Sequence, residues 1–322
     1  MRRLRLQKAG TGLLILAALL LPACGVVHAQ TASKPGPKQL VIIDTDIGDD
    51  IDDAFALALA ERTPQFQILG ITTAFGDTTL RAQLTLRLLN ATGFGTVPVS
   101  AGVPTPPKTD FTQAAYAKAG DKSKIDPRNG PDFLLDQIRK HPGQITLIAI
   151  GPLTNLGAAI DKDPATFRKL KRIVMMGGSV DRGYGKPYAE PEWNIVCDIP
   201  AARKVFTSGV PIFMMPLDST ILKFDPAQLH ALFLRNTPLT QQLQLLYEEW
   251  SGAKQKMPTL FDPMAVAYAA NPALCPTTSL HLTIDDKGNT VRSEGAPNVN
   301  ACLSSSPSAF FDYYLSRVST TR

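Results

Sequence analysis

Histidine and cysteine, the side chains on which most zinc and copper sites depend, are scarce in this 322-residue chain, with four of each. Tryptophan occurs twice, and aromatic residues make up 7% of the sequence. Beyond the first 29 residues there is no internal repeat and no low-complexity segment. There is also no basic stripe interleaved with aromatic residues, so no nucleic-acid partner is expected.

The N-terminal segment has the features of an export signal. A basic start precedes an apolar run, Leu13 to Leu21, that is too short for a typical membrane span. Val27-His28-Ala29 is an ordinary secretory cleavage site, whereas Leu21 to Cys24 resembles a bacterial lipobox that would leave the cysteine lipidated. We therefore predict a signal peptide over residues 1–29, or 1–23 in a lipoprotein. The protein is expected to be exported, periplasmic or secreted, with a lipid anchor at Cys24 as its only membrane contact.

Without this leader the chain has almost no excess of charge of either sign. The leader holds four of the 33 basic residues and no acidic ones, which leaves 29 basic residues against 28 acidic ones. The sequence pI of about 9.0 therefore gives no reason to expect nucleic acid. Residues 30–38 are predicted to be a flexible lead-in, and residues 39–322 a single domain with a core large enough to fold without disulfides.

Apolar segments that are typical of buried strands alternate with segments that are typical of helices. The predicted strands after the first are Phe66–Thr72, Val97–Ser100, Ile145–Ile150, Arg172–Met176 and Val210–Met215. The predicted helices between them include Leu80–Asn90, Asp132–Lys140, Pro152–Ile160 and Pro200–Ser208. This alternation predicts an α/β fold with an open, mainly parallel, Rossmann-like sheet that has helices on both faces.

Three cysteines lie in the predicted domain, so at least one is unpaired. A bridge between Cys275 and Cys302 is one pairing. Cys197 lies in the apolar run Trp193–Ile199 and is predicted to be a buried small hydrophobe.

The most informative stretch is Leu40 to Ala60. A predicted strand, Leu40–Ile43, and a predicted helix, Phe55–Ala60, flank six aspartates: Asp44, Asp46, Asp49, Asp50, Asp52 and Asp53. Like charges packed this closely require a cation, and the absence of histidine and cysteine from the loop favours Ca²⁺ or Mg²⁺. The alternative is a solvated acidic turn whose aspartates cap a helix.

The motifs of this chain resemble those of a known family. Asp44-Thr45-Asp46-x-Gly48 with Asp52-Asp53-Ala54 is similar to the N-terminal signature of the inosine–uridine-preferring nucleoside hydrolases. Further segments follow in the family's order: Gly70–Thr73 with Gly76-Asp77, Gly151–Asn155, Met175–Gly178 with Glu192-Trp193-Asn194, and Asp262–Ala267. The resemblance covers about residues 39–270. It implies a mainly parallel α/β sheet, one Ca²⁺, hydrolysis of the N-glycosidic bond of ribonucleosides, and assembly as a homodimer or homotetramer.

The resemblance also implies a role for each matching residue. Asp46 is both a metal ligand and the general base that takes a proton from the attacking water. Asp53, Asp262 and the backbone carbonyl of Ile150 are the other implied metal ligands, and ribose oxygens complete a coordination number that suits Ca²⁺. The implied substrate-binding residues are Asp52, Asp77, Met176, Glu192, Asn194 and Phe261. Within that set, Asp52 and Asn194 hold the ribose hydroxyls and Glu192 holds the 5′-hydroxyl.

Two departures from the family's pattern bear on the substrate. Asp77 stands where many members have asparagine, and Phe261 stands where the nonspecific members have a histidine that protonates the leaving base. The purine-specific branch has this combination, and there stacking makes the base basic enough for solvent to protonate it. We therefore hypothesise a purine preference. Candidates for a second stacking face are Tyr184, Tyr188, Trp193 and Trp250.

A third departure is two extra residues in the first loop, which makes Asp49 and Asp50 competitors for the metal. Removing the insertion restores the family's spacing between Asp46 and Asp77, which keeps Asp46 and Asp53 in register.

Other interpretations of the same residues remain open at this stage. A Mg²⁺-dependent phosphatase also begins with Asp-x-Asp after a strand, but it needs Ser or Thr where this chain has Gly48. A periplasmic nucleoside- or sugar-binding protein without turnover is the non-enzymatic alternative. Asp262-Pro263 is typical of a helix start, Asp77 of a helix cap, and Glu192 and Asn194 of an ordinary loop.

Overall fold

A computed structural model describes residues 37–254 and 256–320, which belong to one compact unit, Pro37–Arg322. The predicted signal peptide, the lipidation site at Cys24 and most of the predicted lead-in lie outside the described residues. Within the described part of the chain, none of the helices combines the length and the apolar character that a membrane crossing requires.

The described residues form ten strands. They are β1 (Gln39–Thr45), β2 (Phe66–Thr73), β3 (Val99–Ala101), β4 (Thr146–Ala149), β5 (Arg172–Met176), β6 (Ile212–Met215), β7 (Thr278–Leu280), β8 (Leu282–Ile284), β9 (Thr290–Arg292) and β10 (Val299–Ala301). Eight of them make one sheet in the order β3-β2-β1-β4-β5-β6-β10-β7, and only β7 at its edge runs antiparallel to its neighbour. The predicted α/β fold with a mainly parallel sheet is therefore confirmed.

Helices connect these strands. They are α1 (Asp52–Glu61), α2 (Thr78–Thr92), α3 (Ala114–Lys118), α4 (Gly130–Lys140), α5 (Thr154–Lys162), α6 (Pro164–Phe167), α7 (Trp193–Val196), α8 (Ile199–Phe206), α9 (Leu217–Thr220), α10 (Pro226–Phe233), α11 (Pro238–Ser251), α12 (Pro263–Ala270) and α13 (Pro307–Val318). Short 3₁₀ turns span Lys122–Lys124, Gly252–Lys254 and Pro272–Leu274.

Alternate residues of β1 point into two separate apolar cores. Val41 and Ile43 belong to a core that includes side chains of α1, α2, α11, α12 and α13, whereas Ile42 belongs to one that includes side chains of α4, α5 and α8. A strand buried on both faces reads as a continuous apolar run, which is why the strands were visible in the sequence. The predicted helices on both faces are confirmed.

Predicted and observed bounds agree within two residues for most elements. The prediction Arg172–Met176 matches β5, and the prediction Asp132–Lys140 begins two residues late because α4 starts behind an Asn129 cap with proline in its first turn. The C-terminal part, from α9 to α13 with strands β7 to β10, had no comparable alternation in the sequence and was not predicted, apart from a helix start at Asp262-Pro263.

The cysteines differ in outcome. Cys275 and Cys302 form a disulfide that joins the turn after α12 to the end of β10, which confirms the pairing. Cys197 is a free thiol, but the prediction that it is buried was wrong, because it is partly exposed. The apolar run that contains it is divided into two short helices, α7 and α8, and Cys197 lies at their junction.

Candidate active site

The aspartate-rich loop connects β1 to α1 at the carboxyl edge of the sheet. Its turn depends on Gly48, whose φ of +132° is unusual for any residue with a side chain. A Cβ atom at this position would lie 2.3 Å from the ring of Phe111, so the close packing of that ring also requires glycine. The loop therefore has a fixed path between the strand and the helix.

A cavity of about 370 Å³ opens beside this loop. It lies where the carboxyl ends of neighbouring strands meet, which is the usual ligand position in open α/β sheets. Nine of the ten predicted site residues line it: Asp46, Asp52, Asp53, Ile150, Met176, Glu192, Asn194, Phe261 and Asp262.

Three carboxylates lie particularly close together in this cavity. Asp52, Asp53 and Asp262 each offer an oxygen within 4.8 Å of the others, and each of the three residues is at most 4% exposed. Asp53 accepts a short hydrogen bond from the Thr45 hydroxyl, and the backbone N–H of Asp262 donates to Oδ2 of Asp52 at 3.1 Å. Asp262 thus comes from more than 200 residues away to join the first loop.

Asp46 belongs to the same cavity, although the tightest group of three contains Asp52 in its place. The expected convergence of Asp46, Asp53 and Asp262 on one metal ion stays a prediction. The charge of Asp46 raises the pKa of both Asp53 and Asp262. The structure thus assigns four carboxylates to one acidic centre, with Asp52, Asp53 and Asp262 as the tightest subset.

Burial is the main electrostatic feature of this centre. It raises the pKa of Asp52, Asp53 and Asp262 well above the ordinary value, and repulsion from neighbouring carboxylates acts in the same direction. Burial also raises the pKa of Asp46 to about 6, against the opposing effect of the Arg81 guanidinium. A cation bound among these carboxylates would offset both the cost of burying their charges and the repulsion between them.

The helix-start interpretation of Asp262-Pro263 accounts for the proline but not for the aspartate. Pro263 opens α12 in the usual first-turn position, yet the Asp262 side chain makes no capping hydrogen bond. Its carboxylate lies instead with those of Asp52 and Asp53. The donor set at this point is made of carboxylate oxygens with the Ile150 main chain at the cavity wall, and it fits a hard divalent cation such as Ca²⁺.

Glu192 and Asn194 line the same cavity and are held in place by hydrogen bonds. Glu192 is the N-cap of α7, and its two carboxylate oxygens accept from the backbone N–H groups of Gly178 at 2.8 Å and of Asn194 at 2.9 Å. The Asn194 amide donates to the Met176 carbonyl at 3.1 Å. Burial raises the pKa of Glu192 to about 7. The two residues are therefore a helix cap and a cavity wall at once, not ordinary loop residues.

Aromatic side chains form the outer wall. Phe261 packs edge-on against Tyr184, with 6.1 Å between the ring centroids, and Trp193 and Trp250 line the same cavity. Tyr188 is 57% exposed, and its ring lies 5.6 Å from the ammonium of Lys186 rather than in the cavity. Three of the four candidate stacking residues are thus at the site.

The structure places Asp77 apart from the other predicted residues. Its carboxylate caps α2 by accepting from the backbone N–H of Leu80 at 2.9 Å, and it lines a neighbouring cavity. Phe75 and Gly76 both have positive φ, and this sharp turn carries the chain directly into the helix. The cap interpretation is confirmed, and the substrate-binding interpretation of Asp77 stays a prediction, since Asp77 does not line the cavity that holds the other nine residues.

The two extra aspartates of the loop are also engaged. Oδ2 of Asp49 accepts from the guanidinium of Arg81 at 2.9 Å, and Oδ1 of Asp50 accepts from the backbone N–H of Ile51 at 2.7 Å. Neither carboxylate belongs to the close group of three. Arg81 was missed at the sequence level, although it lies on the apolar stripe of α2 with Leu84 and Leu88, where a charged residue is unusual.

Asp44, the first aspartate of the motif, is enclosed in the core. It is fully buried, accepts from the Thr72 hydroxyl, and accepts from the Asn155 amide at 2.7 Å. Burial raises its pKa to about 7. A phosphatase of the Asp-x-Asp type needs an exposed carboxylate as nucleophile, so the burial of Asp44 argues strongly against that alternative.

Comparisons with known proteins are consistent with this geometry. The family model described as inosine-uridine preferring nucleoside hydrolase matches residues 41–312. Uridine nucleosidase 1 of Arabidopsis thaliana is 35% identical over 233 residues, which cover 67% of this chain and 68% of that protein. The pyrimidine-specific ribonucleoside hydrolase RihB of Escherichia coli O9:H4 (strain HS) is 36% identical over 195 residues, which cover 57% of this chain and 61% of the relative.

Solved structures share the fold. A plant nucleoside hydrolase, the PpNRh1 enzyme, superposes with a TM-score of 0.79 at 26% identity over 88% of this chain and 100% of its own. A purine-preferring ribonucleoside hydrolase from Gardnerella vaginalis has a TM-score of 0.76 over 87% of this chain and 98% of its own, and at 22% identity this shows the fold alone.

Proposed function

From the premise that this chain belongs to the inosine-uridine preferring nucleoside hydrolase family, and is an N-glycosyl hydrolase, we propose that it cleaves ribonucleosides to ribose and free base with a preference for purines. The observation that supports this most strongly is the meeting of Asp52, Asp53 and Asp262 beside Asp46 in one cavity. Buried carboxylates with strongly raised pKa values that meet in a cavity are a typical feature of functional sites.

The acidic centre is proposed to hold one Ca²⁺ through Asp46, Asp52, Asp53, Asp262 and the carbonyl of Ile150. When bound, the ion lowers the pKa of a water molecule and offsets the repulsion between the carboxylates. The carboxylates themselves orient the ribose hydroxyls through hydrogen bonds and keep the reacting carbon next to the water.

Asp46 is proposed to be the general base. At 8% exposure it is the most accessible of the four carboxylates, and it therefore reaches a water in the cavity. The water oxygen bonds to C1′, the N-glycosidic bond breaks with its electron pair leaving on the base, and the water proton passes to Asp46. Such proton transfer typically contributes a factor of about 10²–10⁴ to the rate.

Glu192 and Asn194 are proposed to bind the ribose in the same cavity. Their side chains are already fixed by the N-terminus of α7 and by the Met176 carbonyl, so little side-chain entropy is lost when substrate binds. Rigid placement of the ribose is what converts the attack of water into an effectively intramolecular step.

The aromatic wall is proposed to stack on the leaving base. Phe261, Tyr184 and Trp250 offer an apolar surface that suits the larger area of a purine. The relatives named above as uridine nucleosidase and pyrimidine-specific hydrolase give the opposite indication, so a pyrimidine preference is the second candidate.

Initial rates of ribose release from inosine, guanosine, uridine and cytidine, with and without a chelator, test these proposals together. We expect release that requires Ca²⁺ and has a higher kcat/KM for the purines. Faster release from uridine would establish the pyrimidine alternative. Binding of all four nucleosides without release would show the non-enzymatic alternative, a nucleoside-binding protein.

A substitution tests the stacking wall separately. Phe261→Ala should lower kcat/KM for inosine by about two- to tenfold, because stacking of this kind is worth about 0.5–1.5 kcal/mol. Tyr188→Ala is the matched control, since this ring is exposed and outside the cavity. Unchanged inosine turnover in Phe261→Ala would contradict the stacking role.

Export and assembly complete the proposal. Mass spectrometry of the mature protein distinguishes cleavage after Ala29 from lipidation at Cys24. Light scattering after gel filtration measures whether the chain is the expected homodimer or homotetramer.

A further inference from the structure

Arg81 is a buried arginine whose hydrogen bonds all converge on the aspartate loop and the turn beside it. The residue comes from the first turns of α2 and is only 2% exposed. Nε donates to the Phe75 carbonyl at 2.7 Å, one terminal nitrogen donates to the carbonyls of Asp46 and Ile47, and the other donates to Asp49 Oδ2 at 2.9 Å. The guanidinium thus connects two separate segments, the aspartate loop after β1 and the turn after β2.

Two aromatic rings enclose the same guanidinium. Its central carbon lies 5.6 Å from the ring centroid of Phe75 and 5.1 Å from that of Phe111. Phe111 is also the ring that packs on Gly48, so the arginine, the ring and the glycine form one packed unit. Burying a guanidinium is costly unless its geometry is well satisfied, and here the planar fork is matched by acceptors in fixed positions.

A different segment, which contains Thr112 and Gln113, makes hydrogen bonds to the later part of the loop. The Thr112 hydroxyl donates to the Asp49 carbonyl at 2.7 Å, and the Gln113 amide donates to the Asp50 carbonyl at 2.8 Å. These contacts hold the two inserted positions and do not include the main chain of Asp46. The contact of Arg81 with the Asp46 carbonyl is therefore the one that couples α2 to the proposed general base.

We propose that Arg81 is a positioning residue of this active site, which fixes the main chain of Asp46 and thereby the direction of its carboxylate. The inference rests on the proposed function, because it assigns a role relative to the proposed base. Arg81 also opposes the rise in the pKa of Asp46 and Asp53. A role in charge balance alone is the competing explanation, and the two make different predictions.

Arg81→Lys separates them, because it keeps the positive charge and loses the planar fork. Positioning predicts that kcat falls about 10²-fold, as for a displacement of about 1 Å at a reacting group, while KM changes less. Charge balance predicts that Arg81→Lys behaves like the parent protein and that only Arg81→Met loses activity. Asp49→Asn removes the ion pair and keeps the bonds to the main chain, so positioning predicts less than a fivefold loss.

Amide hydrogen exchange of the Ca²⁺-free protein provides a readout that is independent of activity. In Arg81→Lys, the peptide spanning residues 46–51 should exchange at least tenfold faster than in the parent protein. Exchange of the strand β4 should stay unchanged. This measurement remains decisive if Arg81→Met fails to fold.

Arg172→Lys is the matched control for a general loss of stability. Arg172 is the first residue of β5 and therefore lies at the amino end of that strand, away from the site. Its guanidinium donates to the Ala269 carbonyl at 3.0 Å and to the Thr146 hydroxyl at 3.2 Å. This variant should lower the melting temperature without changing kcat or exchange at residues 46–51.

The outcomes are distinguishable. The inference is supported if Arg81→Lys loses kcat and its loop exchanges faster, while Arg172→Lys keeps the parental kcat and the parental exchange at residues 46–51. An Arg81→Lys protein with parental kcat and parental exchange overturns it, as does an equal loss in Asp49→Asn. If the parent protein releases no ribose from any nucleoside, the proposed function fails, and loop exchange still reports whether Arg81 fixes the loop.

Discussion

The aspartates at the carboxyl edge of the sheet and those on the outer helices are the same residue type in opposite electrostatic states. In the site, burial raises the pKa of Asp46 to about 6 and that of Asp53 well above its ordinary value. On the surface, hydrogen bonds from Lys140 and Thr166 lower the pKa of Asp136 and Asp163 respectively. The surface carboxylates have partners from nearby positions in the chain, as in the i,i+4 pair of Asp136 with Lys140.

The comparison shows that carboxylates without basic partners are found in the cavity, whereas these surface carboxylates are paired. Asp52, Asp53 and Asp262 face one another rather than basic side chains, which costs stability in the metal-free protein. The surface pairs contribute little to stability and little to function. A site that retains repulsion of this kind is prepared for a cation, and the following experiments test that contrast.

The largest difference between the two regions is expected when one carboxylate in each of them is neutralised. Asp46→Asn should lower kcat/KM for ribose release by about 10²–10⁴-fold, because the proposed base is lost. Its metal-free form should melt at a higher temperature than the parent, since a buried charge has been removed. Asp136→Asn is the control, with unchanged turnover and a stability change within about 1 kcal/mol. Equal activity in the two variants would contradict the assignment of Asp46.

Removal and addition of Ca²⁺ should have the next largest effect. At a free concentration about 100 times Kd, binding to the folded state adds about 2.7 kcal/mol of stability. For a domain of this size that corresponds to a rise of about 4–5 °C in melting temperature, measured by scanning calorimetry after chelation and after titration. The rise should be largely absent in Asp262→Asn and intact in Asp136→Asn. If the melting temperature of the parent protein does not change when Ca²⁺ is added, the proposed metal site is excluded.

The pH dependence of the metal-free protein is the third test of the contrast. Burial raises the pKa of Asp44 and Glu192 to about 7, whereas unfolded carboxyls titrate near pH 4. Between about pH 4 and 7 the folded state therefore holds more protons than the unfolded state, and stability falls as pH rises. We expect the metal-free melting temperature to be a few degrees higher at pH 5 than at pH 7.5.

The Ca²⁺-saturated protein should show the opposite trend over the same pH range. Its carboxylates are ionised, and added protons compete with the ion. A metal-free melting temperature that increases from pH 5 to pH 7.5 would mean that these buried groups are already ionised and compensated by the protein itself.

The central part of the fold could be predicted from local sequence patterns, and the site could be predicted from the family resemblance. Strands such as β5 are buried on both faces, so their apolar runs have clear ends. Asp53 and Asp262 could be associated before the structure only through the order of the motifs, since no local pattern relates residues so distant in the chain. Their proximity in the cavity is the part of that expectation that geometry now supports.

The differences have local physical causes. Asp77 lies at a sharp turn directly before α2, and its carboxylate caps that helix. Arg81 was missed because its hydrogen-bond acceptors include the backbone carbonyls of Asp46 and Ile47, more than 30 positions earlier, although a charged residue on the apolar stripe of α2 was a signal that could have identified it. Asp52 lies in the close group with Asp53 and Asp262 and accepts from the Asp262 backbone N–H, a contact between residues so distant in the chain that no local pattern relates them.

The Cys275–Cys302 bridge makes the stability of this protein depend on where it is made. It closes a segment with a sequence separation of 27, which holds the strands at the antiparallel edge of the sheet. On chain-entropy grounds such a closure is worth about 3–4 kcal/mol, and this contribution exists only where thiols are oxidised. The same polypeptide recovered from a reducing cytosol would therefore unfold more readily than one matured in an oxidising compartment, whatever its calcium content.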